Sequence, residues 1–396
     1  MSNCALNFAF ANEEESLVIM ESPSCGVLTK PSIDERIYTV GPVGFTQEQE
    51  FLDDEQVRST ASRFSPIKGR KMPGDWNANT YVKPSGTRDA VGDGSKPEHD
   101  VLFECLMGSG AAGTDGALGY RYKLENQLSS FSLWTKKGHT VFAFRGVTVE
   151  QAEFGISGEA VAGVSWTGKY MEQKWAGTVI AVSAATNTVI LPARGTERYT
   201  VGMFIFVGPD TNNAAGYEIT AIDHANNTLT ISPNLTSNPA PCGATPVISP
   251  WWPTGGSETG EPVHGKMGMV QVGGKNCVVV SARVTVVNNI KYYINEKNNQ
   301  WTAERFGRPK VREIDGELEL FFLKPGPSYF YRAEHQVPNV IIIPVGNVAG
   351  FTMEISIPYA EYRTPRISGD EEFIQNIPYI AVASANENDE MTIDFN

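Results

Sequence analysis

Apolar and polar residues alternate along most of this chain. The pattern is plain in RIYTVGPVGFTQEQEF from Arg36, and in DWNANTYVKP, HTVFAFRGVTVEQAEFGIS, EAVAGVSWTGKYM and NCVVVSARVTVVNNIKYYIN. It returns in GELELFFLKP, NVIIIPVGNVAGFTMEISIPYAEY and FIQNIPYIAVASA. A period of two places successive side chains on opposite faces of a strand, so each run predicts one face in a core and one for solvent or a partner. Helical spacing is rarer. In HDVLFECLMG (99–108), Val101, Leu102, Cys105 and Leu106 recur at helical intervals, Asp100 offers a cap and Gly108 a stop. The segment SYFYRAEHQ (328–336) occupies the corresponding place later in the chain.

One stretch occurs twice. Residues 63–80 read RFSPIKGRKMPGDWNANT and residues 305–322 read RFGRPKVREIDGELELFF. Without a gap, Arg63, Phe64, Lys68, Arg70 and Gly74 fall on Arg305, Phe306, Lys310, Arg312 and Gly316, and Asp75 falls on Glu317. Each copy follows a strand-like segment with a polar turn. Two β units on one ground plan imply duplication, and duplication implies a symmetric assembly. Between the copies the texture changes. Residues 174–252 hold short β runs and few charges, with turns expected at Ala185–Asn187 and His224–Asn227, and end in the Pro/Gly-rich CGATPVISPWWPTGG. They read as an inserted small β domain, the alternative being a continuation of the first sheet. The expected organisation is an arm (1–35), a first unit (36–173), the insert (174–252) and a second unit (253–396). The fold class is mainly β: two related sandwich or half-barrel units, each with a short helix, plus the insert.

Composition narrows the function. Net charge is −13, which excludes a general DNA binder because such affinity comes from clustered Lys and Arg neutralising phosphates. A conduit along which DNA slides without sticking remains open. The five cysteines are odd in number and form no CxxC, so free thiols in a reducing cytoplasm are expected in place of a disulfide framework or zinc site. The opening MSNCALNFAFANEEESLVIM has no basic start and is interrupted by Glu13, Glu14 and Glu15, so it does not read as a signal peptide. No apolar run reaches membrane-spanning length.

Sequence motifs for catalysis fail on context. Gly108–Gly113 matches GxGxxG, but the segment before it reads as helix and none follows it. Gly163–Lys169 fits most of a phosphate loop, yet Tyr170 stands where a magnesium-binding Ser or Thr is needed. His99, His139, His224, His264 and His335 form no closely spaced metal pair, Asp89, Asp93 and Asp100 lack EF-hand spacing, and no GxSxG elbow occurs. The expectation is a non-enzymatic protein without cofactor or metal. Trp251-Trp252 reads either as a plug docking the insert or as a sugar-stacking platform.

In segment order, the chain resembles the tail tube proteins of long, flexible-tailed bacteriophages. The resemblance covers about residues 36–173 and 253–396. It rests on strand order, the turn-rich segments before Lys68 and Lys310, the helix slot near 99–108, and the run GVTVEQAEFGISGEAVAGVSWTGKYM (146–171). The insert is a departure, of a kind that members often carry as extra surface domains. The resemblance implies subunits closing into rings of sixfold or pseudo-sixfold symmetry, with inner strands joined in one β-barrel through which the genome passes. If each copy supplies one tube unit, three chains make a ring, with six chains as the alternative. Implied partners are further copies of the chain, a tape measure protein, and tail terminator and distal tail proteins. DNA would pass transiently, without specific binding. The implied location is the virion tail, assembled in the host cytoplasm.

Strand alternation then nominates Glu150, Glu153, Glu159, Glu317 and Glu319 for lumen or ring contact, because an acidic lumen repels phosphate. Loop residues Arg63, Lys68, Arg70, Arg305, Lys310 and Arg312, together with the N-terminal arm, are nominated for contact between rings. The alternative function is a carbohydrate-binding β-sandwich adhesin or fibre protein, with Trp251 and Trp252 as stacking residues.

Overall fold

The computed structural model describes residues 14–21, 25–52, 67–84, 96–112, 119–138, 140–175, 177–208, 215–235, 247–253, 261–265, 269–294, 302–322, 329–348, 350–369, 372–384 and 387–395. Its fold is mainly β, built from large antiparallel sheets, one curled into a half-barrel. In chain order the elements that matter here are β1 (Glu14–Met20), β2 (Gly44–Thr46), β3 (Gln49–Leu52), β4 (Ile67–Lys71) and β5 (Gly74–Tyr81). They are followed by α1 (Asp100–Met107), β6 (Tyr120–Lys123), β7 (Phe131–Lys137), β8 (Thr140–Ser157), β9 (Gly163–Tyr170) and β10 (Glu172–Lys174). After the insert come β11 (Val279–Val287), β12 (Lys291–Tyr293), β13 (Arg305–Gly307), β14 (Glu313–Phe321) and α2 (Tyr329–Glu334). The chain ends with β15 (Asn339–Val348), β16 (Phe351–Tyr362), β17 (Ile374–Ala381) and β18 (Thr392–Phe395).

The two halves pair their strands by one scheme. In the first, β2 ladders with β5, β5 with β9, β9 with β8, β8 with β7, and β10 with the start of β8. In the second, β11 ladders with β14, β14 with β17, β17 with β16, β16 with β15, and β18 with the start of β16. A hairpin, β3–β4 or β12–β13, follows the first strand of each set. A helix follows β5 and β14 alike.

Register agrees at the aligned glycines. Gly74 lies opposite Tyr170, and Gly316 lies opposite Tyr379. A Cβ on Gly74 would meet the Tyr170 ring and the Thr46 carbonyl, and one on Gly316 would meet the Tyr379 ring and the Arg283 carbonyl. Upstream of these glycines the ungapped match fails: Lys68 and Arg70 lie within β4, whereas Lys310 and Arg312 lie beyond the end of β13. The hairpins therefore correspond as elements but not residue by residue.

The long strand β8 is the hinge of the architecture. Its first part pairs with β7 and β10 in one sheet; its second part pairs with β9 and, across the junction of the halves, with β11 in another. The halves are also joined at the other end. The C-terminal β18 ladders with β6 of the first half as well as with β16, so the tail docks on its own chain. Phe395 at its tip packs against Phe103 of α1, which also meets Trp166 and Tyr122. Such aromatic contacts carry much of a core's burial.

α1 forms as the spacing predicted, burying Val101, Leu102, Cys105 and Leu106. Its N-cap residue is His99, however, and Asp100 begins the first turn, accepting a hydrogen bond from Tyr122 Oη and pairing with Lys96 at 3.1 Å. Gly108 ends the helix at φ 131, against Glu125. Gly110–Ala112, read from the sequence as loop, is a short strand on β6.

In the described part of the arm expected over 1–35, β1 ladders along the whole of β7. The insert forms its own seven-stranded sheet from Gly177 to Pro250, with Asn187 and Asn227 in left-handed turn positions. Its core continues into the body, where Val189, Ile205 and Leu229 share one cluster with Leu17, Trp134 and Val141. Trp251 is buried with Lys30 over its ring at 4.9 Å, and Trp252 Nε1 donates to Glu15 at 3.2 Å. The tryptophan pair thus ties the insert to the body. Its rings are not presented as an open platform.

Candidate functional site

The candidate site is the polar face of the half-barrel across β5, β9, β8, β11 and β14. Alternation assigns the faces. Toward the core point Trp76, Ala78, Trp166, Phe154, Val284, Val286 and Leu318. The opposite face carries rows of side chains set by the register. One row runs Asn79, Ser165, Glu153, Thr285, Asp315. The next runs Tyr81, Gly163, Gly155, Arg283, Glu317. Small and neutral residues dominate the first strands; carboxylates gather on the last.

Glu153, Glu317 and Glu319, nominated from sequence, come together on this face. Arg283 sits between two of them, with Nη2 at 3.2 Å from Glu317 and Nη1 at 4.0 Å from Glu153. Glu319 accepts from Ser281 Oγ across the ladder, and Glu317 from Asn376 Nδ2. Glu150 sits at a register shift in β8 and pairs with Lys169 Nζ at 2.5 Å, which also reaches Asp75 at 3.6 Å. Glu159 lies apart, exposed in the turn after β8.

Sequence reading missed Asp75, Glu313 and Asp315, and both cations, Lys169 and Arg283. The alternation of β5 and β14 would have found the carboxylates, since all three are exposed at every second position. Burial raises the Asp315 carboxyl above its ordinary value, and Arg283 opposes that shift. Asp75, Glu150, Glu153, Glu313, Asp315, Glu317 and Glu319 outnumber Lys169 and Arg283, so the face is acidic. Such a surface offers a polyanion no set of cations to hold.

The cations nominated for contact between rings scatter. Arg63 lies outside the described residues. Lys68 is in β4, Arg70 is exposed on the same strand, and Arg305 and Lys310 are exposed at and beyond β13. Arg312 differs from these in its surroundings: its guanidinium donates within the chain, to Asn288 Oδ1 at 3.1 Å and to the Glu125 carbonyl at 2.5 Å. Burial, with Arg308 nearby, pulls it down to about 10.

No protein-family model matches the chain, and no curated protein matches it.

Proposed function

We propose that the protein is a structural subunit of a bacteriophage tail tube, whose stacked rings enclose a channel for DNA. One observation carries the reading: the two halves repeat a single ladder scheme, and β8 of the first pairs directly with β11, the leading strand of the second. Repetition of that seam between molecules generates a ring. The counterpart of β11 in the first half is β2, which among the described residues ladders with β5 alone. The counterpart of the end of β8 is the end of β16 with its continuation Arg366–Ser368, exposed at all three positions. β2 of one chain therefore fits the segment 361–368 of its neighbour. Closure of this kind removes open sheet edges that otherwise invite uncontrolled pairing.

Two units per chain favour three chains per ring over six. The acidic face across the seam would line the channel, and its small, neutral and negative side chains favour passage of DNA over retention. In this reading the tube forms in the host cytoplasm around a tape measure protein, between terminator and distal tail proteins, and ends in the virion. The adhesin reading loses support because Trp251 and Trp252 are occupied in docking the insert.

The test is negative-stain microscopy and sedimentation of the purified protein at rising concentration. Hollow rings or tubes are expected. A monomer at every concentration, alone and with tail assembly factors, would contradict the proposal.

A further inference from the structure

A cleft of about 850 Å³ lies where the inserted sheet meets the body. Its floor is an uneven charge cluster. The Glu172 carboxylate, nearly fully buried, receives Lys174 Nζ at 2.9 Å and Arg145 Nε at 3.0 Å on one oxygen, and Lys71 Nζ at 3.7 Å on the other. Three cations thus share one carboxylate. The remaining guanidinium nitrogens of Arg145 go to neutral acceptors, the Gly26 carbonyl and Thr302 Oγ1. Burial, aided by the charges of Arg145 and Lys71, brings the Lys174 ammonium down to about 8. Burial pushes the Glu172 carboxyl up, and the three cations together hold it below its ordinary value. A buried excess of positive charge is costly unless a counter-charge meets it.

The walls add to the same sign. Trp175 stands at the rim with Arg198 stacked at 5.3 Å and Lys71 at 5.7 Å from its ring. Arg194 is neutralised by Glu197 at 2.7 Å. Arg198 makes no ion pair among the described residues. Tyr199 also lines the cleft, and its buried hydroxyl has no hydrogen-bond partner among the described residues. A buried hydroxyl left unpaired is destabilising, and a ligand acceptor would offset that.

We propose that this cleft binds a small ligand bearing an oxyanion, a phosphate or carboxylate on a sugar-sized body. The oxyanion faces Lys71, Arg145 and Lys174, Arg198 closes over it, and the Tyr199 hydroxyl supplies a donor. The volume suits a ligand larger than an inorganic ion. The site stands on its own geometry and does not require the tube reading.

The experiment titrates the full-length protein with glucose 6-phosphate, glucuronate, inorganic phosphate and neutral glucose at matched ionic strength. Calorimetry and the thermal midpoint are the readouts. Saturable binding of the charged sugars with a raised midpoint is expected, and none for glucose. The tighter of the two charged sugars identifies the oxyanion. Arg198→Ala, at an exposed position, should weaken binding at least tenfold while leaving the unliganded midpoint unchanged. Lys71→Met should weaken it independently. No saturable binding of any oxyanion, equal binding of glucose, or unchanged affinity in both variants would overturn the proposal.

Discussion

Gly74 and Gly316 have no room for a methyl group. Each lies beneath a tyrosine ring and against a carbonyl of the adjacent strand. Gly74→Ala and Gly316→Ala should each lower stability by about 1–3 kcal/mol in urea denaturation, as overpacked sites do. Gly155→Ala meets nothing within 4 Å and should stay within about 0.5 kcal/mol of the parent. His99 makes a second prediction at this scale. Burial, with Lys83 nearby, lowers its imidazole to about 3, against an ordinary value of 6.5. The unfolded chain therefore takes up the proton first. Stability from this group is complete above about pH 6.5 and is lost as pH falls toward 3. His99→Gln should flatten the stability profile over that window. The glycine match was visible in the sequence because identity and register coincide there. The His99 environment was not, since it depends on burial and on a lysine 16 positions away that the fold brings near.

Among elements, strands were the most legible. Within the run HTVFAFRGVTVEQAEFGIS, Thr140–Ser157 form one strand, β8. Its division between two sheets was not legible, because alternation specifies faces but not partners. The same limit hid the return of β18 to β6: the Arg121–Asp394 ion pair joins residues 273 apart in the chain. Phe395→Ala should therefore destabilise both halves together, by about 3–5 kcal/mol, in one cooperative unfolding transition. Separate transitions for the halves would count against that coupling. The change in composition over 174–252 did not reveal that this stretch shares a core with Trp134. The charge cluster at Glu172 was equally hidden, since its cations come from β4, β8 and β10.

At the scale of the whole molecule, a net charge of −13 and an acidic sheet face point the same way. Reversing that face should change function without changing the fold. The variant Glu153→Lys, Asp315→Lys, Glu317→Lys should still assemble but retain DNA in filter binding, with affinity falling steeply as salt rises. The parent should retain none under the same conditions. The central claim is that the repeated ladder continues from chain to chain. A high-resolution cryo-electron microscopy reconstruction of assembled protein tests it most directly. The account predicts three chains per ring, β2 of each chain laddered to segment 361–368 of the next, and Glu153, Asp315 and Glu317 facing the central axis. Rings held together through the inserted sheet, or this acidic face turned outward, would contradict it.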